Sequence, residues 1–346
     1  MLPKILLPLW LVALATVPVW IAPAFADNLT ADGQFDGLTI KQCGAIAASA
    51  DGKWVAALNN VEVVVWDAAS RQLKGRAAFS SSMGAQALAF SPDGTSLAVG
   101  LSSEIAFFRT DTLARLAPIT LPGEGGVRAL TFSPDGKWLA AASGGENGDY
   151  AVFGDNIYEV ATKKRVKQLQ KAHSSDRSTE DLAFSPDGKW LALAIGNKQK
   201  GIELYDTATW QRKSRLAYPA DATKVAFFAD SRQLAVGSID RKLRVHAVAT
   251  KLAAPLLEWV AHTGSAKNDI GYVGGVGVSG DGARILTASD DEQSLRVWEA
   301  ATGKQQAALK YAKGRFGGFW LAADGKSALV CTATANKVLR FTVDRL

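Results

Sequence analysis

Short apolar stretches alternate with polar turns along most of this chain. The clearest example is FSPDGKWLA, which occurs as 132–140 and again as 184–192. Weaker copies share its plan: an apolar residue, a turn built on Asp, then an apolar run rich in small residues. The residue before the turn is Ala48, Phe90, Phe132, Phe184, Phe227, Val278 or Leu321. The turn's Asp is Asp51, Asp93, Asp135, Asp187, Asp230, Asp281 or Asp324, at intervals of 42, 42, 52, 43, 51 and 43. A period near 42 repeated this often marks a repeat architecture.

Each copy predicts a β-hairpin. In Ser-Pro-Asp-Gly, Pro presets φ for the second turn position and Gly takes the positive φ that closes it. Pro92, Pro134 and Pro186 do this in three copies. The fifth copy, Ala229-Asp230-Ser231, lacks the Gly and is expected to turn less tightly. Unbroken runs such as LAVG at 97–100 and LALA at 191–194 predict strands covered on both faces. A third strand ending in an aromatic residue or His follows: VVVWD, AFFRT, NIYEV, ELYDT, RVHAV, RVWEA and LRFTV. A polar stretch and a looser apolar segment come next, the candidate fourth strand. The prediction is an all-β chain, a seven-bladed β-propeller of four-stranded antiparallel blades over 27–346.

The hairpin S-P-D-G, with Trp66-Asp67 and Trp298-Glu299, resembles the WD40 repeat family over nearly all of that span. Ala172-His173 and Ala261-His262 stand where that family often has Gly-His, and Asp240 matches its Asp before the third strand. Asp290 or Asp291 matches it more loosely. No repeat reads as carrying the family's whole His, Asp, Ser/Thr and Trp set, so blade rigidity is expected from packing rather than from a buried polar network. The seventh repeat ends at its third strand, 338–343, and the resemblance implies that an N-terminal strand completes that blade. The unassigned segment 37–42 is the candidate. Closure also removes an exposed sheet edge.

Residues 1–26 depart from the pattern. Lys4, an apolar stretch from Ile5 to Ile21 and Ala24-Phe25-Ala26 follow the plan of a secretory signal peptide cut after Ala26. An uncleaved anchor is the rival, and Pro8, Pro18, Pro23 and the A-x-A site favour cleavage. The expectation is a protein secreted to the bacterial periplasm, with no membrane span after cleavage. Without Lys4 the chain keeps a small excess of Lys+Arg over its 33 Asp+Glu, with no block of like charge. That suits a solvated surface better than a nucleic-acid footprint. Cys43 and Cys331 would lie at similar heights in neighbouring blades of a closed ring. In an oxidising compartment they are bonded, or they are two small core residues.

Candidate chemistry is sparse. The chain has three His, at 173, 246 and 262; His246 reads as a packed core residue, and the resemblance makes the other two structural. No His-x-x-x-His or Cys-x-x-Cys pair supports a metal, and no cofactor is expected. GYVGGVG at 271–277 has a phosphate loop's composition without the helix such a loop requires. SPDGKW differs in spacing from the sialidase Asp-box. Asn28-Leu29-Thr30 is a glycosylation sequon, meaningful in a eukaryotic source.

Two intervals grow, through Ser143–Asn156 and around Thr263–Gly275, and in a propeller both loops open on the same face. Long loops are where function concentrates. The candidate binding residues on that face are His173, Arg177, Lys198, Lys200, Arg241, Lys242, Lys267, Lys313 and Arg315, with Asp290, Asp291 and Glu292 as a counter-patch. The expected function is non-enzymatic binding of a protein or peptide partner. The alternative is a secreted propeller hydrolase or lactonase, or a small-ligand binder, using the mouth of the central channel. It would need carboxylates, His or Asn converging there, whereas the inner-strand starts are mostly Ala, Val, Gly and Thr.

Overall fold

The computed structural model describes residues 30–37, 43–81, 84–121, 126–143, 154–170, 177–249, 251–264, 272–310, 316–322, 327–332 and 337–342. Among them, seven four-stranded antiparallel sheets follow one another as blades of a ring. In blade 1 the strands run Ala45–Ala48, Trp54–Leu58, Glu62–Asp67 and Leu73–Ala78, from the channel outward. Blades 2 to 6 repeat this, starting from inner strands Ala87–Phe90, Val127–Phe132, Ser178–Phe184, Ala222–Phe227 and Gly275–Val278.

The hairpin turns explain the repeated Ser and Asp. Ser49, Ser91, Ser133, Ser185 and Ser279 each donate their hydroxyl to the Asp two residues on, at 2.5–2.6 Å. Each serine oxygen also accepts the N–H of the residue three past that Asp, at 2.9–3.0 Å. The serine bond holds Asp51, Asp93, Asp135 and Asp281 below the ordinary carboxylate range. The fifth turn is as tight as the rest, contrary to expectation. Ser231 adopts φ 61° where the other described copies have Gly, and closes the same bond at 2.9 Å. Its hydroxyl accepts the Asp187 N–H at 3.0 Å from the neighbouring blade, which holds this residue in a left-handed conformation.

The core is seven wedges, one between each pair of adjacent blades. Their residues come from the apolar second and third strands, for example Leu191, Leu193 and Tyr205 against Ala140 and Ile157 between blades 3 and 4. Inner strands approach so closely that side chains are excluded at some positions. A Cβ on Gly275 would come within 2.9 Å of Phe319, and one on Gly277 within 2.7 Å of Leu321. Gly275 and Gly277 of GYVGGVG therefore serve blade-to-blade contact.

An N-terminal strand closes the ring, but it is Thr30–Phe35 rather than 37–42. It pairs antiparallel with Lys337–Thr342, placing Phe35 opposite Val338. Residues 38–42 lie outside the described residues. Phe35 is fully buried, packs edge-on against Trp66 at 5.9 Å, and is followed by Asp36, whose carbonyl accepts the Trp66 indole N–H at 2.7 Å. Burial of this one aromatic side chain sets the register. Cys43 and Cys331 are joined by a disulfide in the same seam, with Cα atoms 6.0 Å apart.

Blade 6 corrects a second expectation, because it carries a buried polar chain. Trp298 Nε1 donates to Thr287 Oγ1 at 2.9 Å, Thr287 Oγ1 lies 2.9 Å from His262 Nε2, and His262 Nδ1 lies 2.8 Å from Glu292. Glu292 also accepts from Ser294, Arg296 and the backbone of Gly264. Glu292 thus occupies the role expected of Asp290 or Asp291, and it belongs to the blade's interior rather than to a surface patch. Its longer side chain reaches back from the turn to the imidazole. Burial holds His262 below its ordinary 6.5. Burial alone would raise Glu292, but hydrogen bonds from His262 and Thr263 outweigh it and keep the carboxyl far below the usual range.

Both shifts give stability the same sign with pH. The unfolded chain takes up protons that folded His262 and Glu292 refuse, so stability is full above the unfolded values and lost as pH falls through them. Denaturant midpoints are expected to drop from about pH 6.5 downward. Buried His246, also lowered by burial, adds to the upper part of that window. His262→Gln should flatten part of the profile. A wild-type midpoint constant between about pH 7 and pH 4 would contradict this assignment.

Candidate binding face and channel mouth

Antiparallel blades give the ring two unlike faces. One carries the Ser-Asp hairpins. The other carries the loops entering each inner strand and those joining second to third strands, and the strand ends flanking 144–153, 171–176 and 265–271 all open there. His173, Lys267, Lys313 and Arg315 lie outside the described residues, as does most of the insertion within 143–156.

The remaining candidates fall on blades 4 to 6 of that face, with unlike surroundings. Lys198 is exposed in a short turn, Asn197–Gln199. Lys200 sits 3.9 Å from Asp221, Lys242 contacts Glu258 at 2.5 Å, and Arg241 donates to the Thr263 carbonyl at 2.9 Å. Asp291 is raised by burial and by neighbouring Asp290. Arg177 is not a surface group. Its guanidinium is buried and bridges Asp155 at 2.8 Å and Glu203 at 3.1 Å, both carboxylates being fully buried.

Around Arg177 a network spans blades 3 and 4. Thr179 donates to Asp155, Tyr205 and Arg212 donate to Glu203, and Gln170 donates to Tyr205. Desolvation, with Glu203 alongside, drives the Tyr205 phenol far above its ordinary value. The network clamps the described bases of 144–153 and 171–176, since Asp155 and Arg177 stand next to those segments. Arg177→Met is expected to cost about 3 kcal/mol, because it leaves two buried carboxylates short of a cation. The figure sits at the low end because Arg212 and Arg215 still face Glu203. An unchanged chemical-denaturation midpoint would count against it.

At the centre of this face the channel opens into a mouth of about 440 Å³. The inner-strand starts, mostly small in the sequence, also bring charged side chains to the mouth. Arg128 Nη1 lies 3.0 Å from Glu180, and Lys224 Nζ lies 3.8 Å from Asp181, forming an arc of two ion pairs across blades 3, 4 and 5. Tyr272, Gly275 and Phe319 line the side made by blades 6 and 7. Burial raises the Asp181 carboxyl despite Lys224 and a hydrogen bond from the Val225 N–H. Aligning the repeats on their Asp would have exposed the arc, because Arg128 and Glu180 both lie seven residues before it and Asp181 and Lys224 both lie six before it. The two carboxylates each stand beside a cation. His246 and His262 are buried between blades rather than directed to the mouth.

Comparison with known proteins agrees with this geometry. Residues 118–149 match the family described as WD domain, G-beta repeat, a span running from blade 2's outer strand into blade 3. The fold is a WD40-like seven-bladed propeller. A solved structure titled as the β-propeller domain of Myceliophthora thermophila Cps50 (Swd1) superposes with a TM-score of 0.72. That alignment covers 91% of this chain and 99% of the other at 13% identity, so the likeness is one of fold. No curated protein sequence matched the chain. Among the described residues, no helix of this WD40-like propeller is long and apolar enough to cross a membrane.

Proposed function

We propose that this WD40-like propeller is an exported, non-enzymatic scaffold that binds a protein or peptide partner through its loop-rich face. The observation that carries the reading is the convergence of the strand ends flanking the long segments 144–153 and 265–271 on one face, around the channel mouth. Rigid blades beneath variable loops are how a scaffold presents a recognition surface. Repeat-built propellers of this kind serve broadly as interaction platforms, although fold alone does not name a partner. Export is supported by the Lys4, apolar stretch and Ala24-Phe25-Ala26 pattern, and by a disulfide that persists best in an oxidising compartment.

A photo-crosslinking residue at Lys198, on the loop-rich face, should capture a partner in the native compartment. The same group at Lys189, on the exposed hairpin face, should not. Equal capture from both faces would overturn the reading. N-terminal sequencing of the exported protein should return Asp27; recovery of Met1 would refute the cleavage.

A further inference from the structure

We infer that the channel mouth is a binding site for a dipolar ligand, one bearing an anionic and a cationic group a few ångströms apart on an apolar frame. The inference does not depend on the partner proposed above. The mouth combines three properties.

The first is its charge pattern. Arg128, Glu180, Asp181 and Lys224 follow one another around the rim as plus, minus, minus, plus, and each side chain is between one-fifth and two-fifths exposed. All four therefore remain within reach of solvent and of a ligand, unlike the fully buried carboxylates Asp155 and Glu203. The pairs sum to zero, so a simple anion or cation gains from one half of the arc and is opposed by the other. A ligand with both charges can lay its anionic group toward Arg128 or Lys224 and its cationic group toward the carboxylates between them. Low-dielectric walls strengthen such complementarity.

The second property is the opposite wall. Tyr272 and Phe319 offer aromatic surface beside the inner-strand backbone at Gly274, Gly275 and Gly318. The third is size. A concavity of about 440 Å³ lies within the range of small-ligand pockets and suits a molecule of amino-acid dimensions. Charged groups on one side with aromatic groups on the other match an aromatic α-amino acid, or a partner segment that carries adjacent basic and acidic side chains.

Calorimetric titration of the full chain separates these possibilities. The probes are L-phenylalanine, its singly charged analogues N-acetyl-L-phenylalanine and L-phenylalaninamide, and the blocked peptide acetyl-Gly-Lys-Glu-Gly-amide. The zwitterion should bind, and each analogue should bind at least about tenfold more weakly. Binding should be lost in Arg128→Met/Glu180→Gln and in Asp181→Asn/Lys224→Met. Each double variant removes both charges of one ion pair, and its melting curve verifies the fold. Binding of the peptide without the free amino acid would assign the dipolar ligand to a partner chain. Equal binding of zwitterion and analogues would overturn the inference, as would retained binding in both folded double variants or no heat from any probe. Those results would leave the crosslinking test at Lys198 unaffected.

Discussion

Removal of residues 27–37 is expected to unfold the ring rather than trim a tail. The deleted strand supplies the outer edge of blade 7, and its loss leaves Lys337–Thr342 without its partner. It also uncovers the seam, where Phe35 packs with Ile46, Val64, Trp66, Leu329 and Val338. Phe35→Ala by itself should cost about 3–5 kcal/mol, the usual range for emptying a buried aromatic site. Loss of the whole strand adds its backbone hydrogen bonds, the Trp66–Asp36 bond and an exposed strand edge. The combined loss approaches the total stability of an ordinary domain, about 5–15 kcal/mol. Chemical denaturation of Phe35→Ala and proteolysis of the deleted form measure the two steps. A truncated protein that melts with the intact one would show that the seam is held elsewhere.

Reduction of the disulfide should lower stability by about 5 kcal/mol, the second largest effect expected of a local change. Cys43 and Cys331 are 288 positions apart, so the bond closes nearly all of the propeller into one loop. In the chain-entropy account it acts on the unfolded state, by forbidding the ends to separate. For a domain of this size the change corresponds to roughly 6–8 °C in midpoint. Cys43→Ala/Cys331→Ala should match the reduced wild type and be indifferent to reductant. Denatured, unreduced wild type should contain no free thiol. Two free thiols, or a midpoint unmoved by reduction, would remove the bond from the account.

The parts of this molecule legible in its sequence are those where local chemistry and repetition coincide. Ser, Asp and Gly at five of the hairpins form a bonded turn whose spacing is fixed, and the apolar second strands are buried on both faces, so blade number and strand order could be read directly. The closing strand was misplaced because TADGQF offers one large apolar side chain, Phe35, and its partner is more than 300 residues away. Glu292 was missed because the turn before Ser294 also contains Asp290 and Asp291, and only folding shows which carboxyl reaches His262. Arg177 looked like a surface cation because nothing local marks the carboxylates that meet it from other strands. The channel arc was hidden for a related reason: its charges are one or two residues at the start of each of three inner strands, and the pattern exists only between blades.

The pairing of Thr30–Phe35 with Lys337–Thr342 also sets a schedule. During synthesis from the N-terminus, the closing strand emerges some 300 residues before its partner. Blades 1 to 6 can assemble as they arrive, but blade 7 must wait until the final segment is delivered. Until then the closing strand stays open-edged, a template for wrong pairing. Latching of the ring becomes a molecular test of completeness, since a chain interrupted before Lys337 has nothing for its own beginning to grip.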